Sequence, residues 1–178
     1  MPDRFRTTFK PVASPSKIEY GHHLLALGSC FADRMGRRMA QLKLNVLPNP
    51  MGIAYHPLAI GRLLEFATTS GKPDLVFAPH LAQWVSWDLH SRYNHPEQAE
   101  LLANFQADVA LVKHRLASLD WLIVTFGTAY VYRHLSTDQW VNNNHRFPAK
   151  EFQGELLPSH AIVEYWSNLL PRLREIRP

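Results

Sequence analysis

The residues best placed to do chemistry are Gly28, Ser29 and Cys30, because an apolar run from Leu24 to Leu27 stops at them and a helical pattern begins at once. Phe31, Met35, Met39 and Leu42 recur at a spacing that puts their side chains on one helical face. The order is strand, tight turn, helix. A glycine lets the chain reverse sharply, and the residues after it sit beside the unpaired N–H groups and positive dipole end of the helix. An oxygen or sulfur nucleophile is favoured there. Ser29 is the leading candidate and Cys30 its rival, since thiolates gain most from a helix N-terminus. The plain structural alternative is that Ser29 only caps the helix.

Gly52 and Gly127 each follow a predicted strand. In an open parallel sheet ligands bind beyond the carboxyl ends of the strands, and here three such ends carry Ser29, Gly52 and Gly127. A hydroxyl attacking an ester needs N–H donors aimed at the developing oxyanion, and glycine permits the close approach. The alternative is that each glycine only turns the chain. A serine also needs a base. His90 and His145 are the candidates, each with a structural or surface role as the alternative. His22 and His23 stand at the wrong end of the first strand. The ten histidines show neither an HExxH pattern nor Cys/His pairs at zinc spacing, so no metal is expected. There is no Walker lysine motif and no GxGxxG, and no cofactor is expected.

The elements that must position these residues follow from periodicity. Residues 1–20 read as an arm packed across the domain edge, and 21–178 as one α/β domain. After the first strand and helix, Leu44, Val46 and Leu47 predict a short strand ended by Pro48. Pro57 opens a second helix with Leu58, Ile60, Leu63, Leu64 and Ala67 inward. From Lys72 to Pro96 the pattern is irregular and rich in aromatics and histidine, including Trp84, Trp87, His90 and Tyr93. It reads either as a binding loop or lid, or as a flap that covers the sheet. Ala99, Leu102, Phe105, Val109, Val112 and Leu116 predict a helix. Trp121 to Phe126 is the most strand-like run, stopping at Gly127. TAYVYR and QWV predict two short strands or a hairpin that carries Asn142 to His145 on its far end, and a last helix starts after Pro158. Strands alternating with helices imply a layered α/β fold with a parallel sheet.

Composition bounds the partners. With 46% hydrophobic and 19% charged residues in 178, the chain is an ordinary globular protein able to bury a core. The net charge of +4 is spread out, and the densest cluster, Arg34, Arg37 and Arg38, falls on the polar face of the first helix. Neither nucleic acid nor a membrane is expected as partner. One cysteine precludes an internal disulfide, and no apolar stretch resembles a signal peptide or a membrane span, so the chain is expected to be soluble and cytoplasmic.

Five segments in order resemble one family: GSCFA (Gly28 to Ala32), NPMGIAYHP (Asn49 to Pro57), WVSWDLHSRY (Trp84 to Tyr93), VTFGTAYVY (Val124 to Tyr132) and VNNNHRFPA (Val141 to Ala149). The chain resembles the GSCFA family, which is similar to the SGNH or GDSL-like hydrolases. The resemblance implies a flavodoxin-like, three-layer fold with a parallel central sheet and Ser29 as catalytic nucleophile. It implies an oxyanion hole of the Ser29 N–H, Gly52 and an asparagine. The turn where the superfamily places that asparagine reads Gly127, Thr128, Ala129. Asn143 lies in the segment similar to the family's NCH motif, with Asn144 where that motif has cysteine, and is the substitute. Trp84, Trp87, His90, Gly127, Thr128 and His145 are the expected substrate-binding residues. The superfamily's C-terminal DxxH pair is absent from these 178 residues. The chain is therefore expected to be truncated or degenerate, inactive alone, and prone to self-association through an uncovered sheet edge. The implied activity is ester hydrolysis or acyl transfer on an O-acyl ester of a small molecule or saccharide. The alternative is a non-catalytic carbohydrate- or peptide-binding module using residues 84–93.

Overall fold

The computed structural model describes residues 8–69 and 71–176. Leu24, Leu25, Ala26 and Leu27 are at most 1% exposed. A strand apolar on both faces has to lie between two layers. It does so as β1 (His23–Gly28), the central strand of a parallel sheet with β2 (Asn45–Pro48) on one side and β5 (Trp121–Thr125) on the other. Leu25 and Leu27 join the main core with side chains of α2 (Pro57–Thr68), α3 (Gln98–Ala117) and α4 (Ser159–Glu175). Ala26 faces α1 (Cys30–Gln41), where a Cβ on Gly36 would lie 3.5 Å from the Ala26 Cβ. Helices thus cover both faces of the sheet.

The face that α1 buries differs from the predicted one. Ala32 and Gly36 point inward, while Phe31 and Met35 are 60% and 45% exposed. The cause is close approach: a Cβ on Gly36 would come within 2.6 Å of the Pro48 Cβ, so only small residues fit against β2. α2 follows its predicted pattern, with Ile60, Leu63, Leu64 and Ala67 buried and Leu58 half-buried. His56 caps it, Nδ1 accepting the Ala59 N–H at 3.1 Å.

The segment from Lys72 to Pro96 is not a lid. It contains an antiparallel hairpin, β3 (Val76–Ala78) with β4 (Gln83–Val85), and a 3-10 turn at Ser91–Tyr93. Val85, Ser86, Trp87, Asp88, Leu89 and Tyr93 are all buried. The reason is a second sheet: β6 (Tyr130–His134) pairs with β7 (Gln139–Val141) in the predicted hairpin and with β8 (Phe152–Leu156) on its other side. The Trp87 ring packs against this sheet, its centroid 4.8 Å from His134 and 5.6 Å from Phe152. β8, with the sequence FQGEL, has no β-branched residue and no clean alternation to announce it.

Residues 8–20 carry no helix or strand and are exposed throughout, so they form no packed layer across the domain edge. The rest of the arm, residues 1–7, lies outside the described residues. Among the described residues β5 has no strand partner other than β1, and no helix is long and apolar enough to cross a membrane.

Candidate functional site

The sheet order β2-β1-β5 places the chain's next strand on one side of β1 and the later one on the other. At such a switch point the carboxyl ends of the strands open a crevice, which is where α/β sheets bind ligands. At that end stand Gly28 and Ser29, then Thr125 and Gly127, and the turn from Asn49 to Gly52.

Gly28 is required by geometry. Its φ is +133°, and a Cβ there would lie 2.2 Å from the Thr125 carbonyl oxygen. Its N–H donates to Asn49 Oδ1 at 2.8 Å. The next residue is therefore delivered to the head of α1 in extended backbone, where Ser29 is the N-cap. Ser29 Oγ accepts the Phe31 N–H at 3.3 Å and lies 3.1 Å from Thr125 Oγ1. Ser29 is only 8% exposed. Gly127 keeps the space beside it clear, since a Cβ at 127 would meet the Ser29 Cβ at 3.2 Å and Tyr55 Cδ1 at 3.1 Å. The N–H groups of Gly127 and Thr128 both donate to the Tyr55 carbonyl. Cys30, the rival nucleophile, is exposed on the first turn of α1.

The second strand end leads to a histidine. Gly52 has φ +87°, and a Cβ there would meet the His90 Cβ at 2.5 Å. Asn49 bridges the two places: its side chain holds the Gly28 N–H, and its carbonyl accepts the Gly52 N–H at 2.9 Å. His90 Nδ1 accepts the Arg92 N–H at 3.1 Å. Burial, assisted by the Arg92 cation, holds the His90 pKa below the ordinary 6.5. With Nδ1 accepting, the neutral ring carries its proton on Nε2.

The third group lies on the loop after β7. Asn143 donates its N–H to the Trp87 carbonyl at 3.2 Å, and its Oδ1 accepts the His145 N–H at 3.0 Å. His145 Nε2 donates to the Ser86 carbonyl at 2.7 Å, while Nδ1 is buried without a hydrogen-bond partner. Burial lowers the His145 pKa; the backbone carbonyls of Ser86 and Leu89 oppose the shift, and the neighbouring His90 and His80 add to it.

The structure thus gathers Ser29, Gly127 and Thr128 at one point and Gly52 with His90 at a second. Asn143, His145 and Trp87 form a third group. Two expectations need correction. Two of the three proposed oxyanion donors are already engaged: the Ser29 N–H lies 3.2 Å from both Thr125 O and Oγ1, and the Gly52 N–H is held by Asn49. The expected aromatic platform is absent as well. Trp87 is 3% exposed, its ring spent in packing, and Trp84 packs on Phe77 with a centroid separation of 5.3 Å. The hydrogen bonds of Ser29 Oγ go to Phe31 and Thr125, with no histidine among its partners.

Sequence reasoning missed Asn49, Thr125 and Tyr55. An asparagine set between two prolines in a strand-ending turn was a signal for Asn49, whose φ of +41° suits that residue type. Thr125 read only as the end of a strand. Among the described residues no cluster of three or more His, Cys, Asp or Glu could hold a metal ion. A family model described as the GSCFA family matches residues 23–178. No curated protein and no solved structure matches the chain.

Proposed function

We propose, from the premise that this chain belongs to the GSCFA family, that it carries a serine acyl-transfer site of the SGNH type. Ester hydrolysis or acyl transfer would take place at Ser29, on an O-acyl ester of a small molecule or saccharide. The observation that carries this reading is the position of Ser29 at the switch point, on the head of α1 and beside the side-chain-free Gly127. Helices on both faces and a 2-1-3 order of the parallel strands agree with the flavodoxin-like arrangement of that superfamily.

In this reading the Ser29 hydroxyl attacks the acyl carbon, its proton passing to a base and on to the alcohol that leaves as the ester C–O bond breaks; water or an acceptor hydroxyl then takes the acyl group from Ser29 and restores the hydroxyl. The partners seen for Ser29 Oγ include no such base, so the site is expected to be slow in this chain. Opening the oxyanion pocket requires the Ser29 N–H to exchange Thr125 for the substrate oxygen. The test is exposure to a fluorophosphonate, with the modified residue located by peptide mass spectrometry. Slow phosphonylation at Ser29, with loss of fluoride and absent in Ser29→Ala, is expected. Equal labelling of both proteins, or labelling elsewhere only, rejects the reading.

A second reading, that of a non-catalytic binding module, is favoured by the internal hydrogen bonds of the Ser29 and Gly52 amides. It predicts no Ser29 labelling at all.

A further inference from the structure

A cleft of about 530 Å3 lies between α2, α4 and the end of β7. Its floor holds Asp88, whose side chain is 9% exposed and whose Oδ1 lies 3.1 Å from Arg62 Nε. Burial raises the Asp88 carboxyl above its ordinary value, with Asp74 reinforcing the shift and Arg62 opposing it. A charge is rarely buried this far without a purpose in packing or recognition. Both members of the pair line the cleft, so a ligand that enters it meets them.

The wall chemistry narrows the ligand. Acceptors are supplied by Asp88 and Glu164, donors by Arg62, and both by the Asn168 amide; the Asn142 amide, whose Nδ2 already donates to the Asp88 carbonyl at 3.2 Å, adds its Oδ1 and a second N–H. Trp140 adds an aromatic surface: it is 40% exposed, and its indole N–H is fixed by Glu155. Three acids and one arginine line the cleft, Glu65 being the third acid and itself paired with Arg172. That balance repels an anion, and with Asp88 paired to the half-exposed Arg62 and Glu65 to Arg172, only Glu164 is left among the lining acids to attract a cation. A ligand with hydroxyls, which both donate and accept, and an apolar ring face for Trp140 matches this mixture of acceptors and donors.

We propose that the cleft lined by Arg62, Asp88, Trp140, Asn142, Glu164 and Asn168 binds a neutral sugar ring. The proposal stands without the Ser29 chemistry, because none of these residues belongs to the serine turn. His56, which also lines the cleft, has both ring nitrogens occupied, by the Ala59 N–H and the Val141 carbonyl, and serves as wall.

The test is saturation-transfer NMR and titration of the full chain with glucose, galactose, mannose, N-acetylglucosamine and their disaccharides. Spermidine and citrate serve as the cationic and anionic comparators. At least one neutral sugar is expected to bind, with the Trp140 indole signal shifting. Trp140→Ala and Asn168→Ala should each weaken it about tenfold or more, the exposed Asn168→Ala with an unchanged melting temperature. Ser29→Ala should bind as wild type does, which separates this site from the serine reading. Absence of binding by every sugar, binding indifferent to both cleft variants, or preference for spermidine or citrate overturns the proposal.

Discussion

Replacing Gly28 by alanine should be the most damaging small substitution at the serine turn. Its φ of +133° is a conformation that L side chains rarely adopt, at a cost of about 1–3 kcal/mol. The added Cβ would also stand 2.2 Å from the Thr125 carbonyl oxygen and 2.8 Å from Thr125 Oγ1. Neither is the end of a flexible side chain, so relief requires parting β1 from β5 at their last register pair, Gly28 with Thr125. That movement lengthens the Ser29 N–H contact to Thr125 and the Gly28 N–H bond to Asn49, each worth about 1 kcal/mol. The sum is about 3–5 kcal/mol, a large share of the roughly 5–15 kcal/mol that holds a domain folded. Urea unfolding read by tryptophan fluorescence measures it, with a constant slope verifying that the denatured state is unchanged. Gly21→Ala is the control, since nothing lies within 4 Å of a Cβ there, and it should shift stability by less than about 1 kcal/mol. A Gly28→Ala protein as stable as the control would refute the steric reasoning.

Asn49→Ala removes the acceptor of the buried Gly28 N–H and puts alanine at φ +41°, for a loss of about 2–4 kcal/mol. Asn49→Asp keeps an acceptor and should lose clearly less, and equal losses in denaturation would show that the side-chain bond is not what holds the turn. His56, His90 and His145 are all held by burial below the ordinary 6.5, so the folded chain refuses protons that the unfolded chain accepts. Their contribution is complete above about pH 6.5 and is lost as pH falls toward the lower folded-state values, at up to ~1.4 kcal/mol per pH unit for each histidine. Asp88, raised by burial, acts in the opposite direction. The urea midpoint should therefore fall between about pH 7.5 and 5.5, and a flat profile would contradict the assigned burial. Self-association is expected through the edge of β5 and the apolar groove beside it, formed by Leu119, Leu122, Leu170 and Leu173 among others. Sedimentation should show concentration-dependent association that Leu170→Lys weakens, and a monomer at every concentration would dismiss it.

How much was legible beforehand depended on whether a signal was local. Leu24 to Gly28 followed by a helix could be read directly, because four consecutive apolar residues ending in glycine specify a buried strand and a sharp turn without help from elsewhere. The α2 pattern was legible for the same reason, as was the existence of α3, though there Ala99 is exposed and Leu101, outside the expected pattern, is buried; the two runs Tyr130–His134 and Gln139–Val141 were legible as strands, and their pairing shows them to be a hairpin. The GSCFA segments were equally a property of the string, and the family match over residues 23–178 agrees with them. What tertiary structure decided was the environment of each of those side chains. α1 turned its Ala32–Gly36 face inward because Pro48 stands too close for methionine, a fact about another strand. Trp87 became core rather than platform because β8, invisible to periodicity, completed a sheet above it. The engagement of the Ser29 and Gly52 amides, and the meeting of Arg62 with Asp88, depend on contacts between residues far apart in the chain. A residue's type states which bonds it can make. Only packing determines which of them are already made when a ligand arrives.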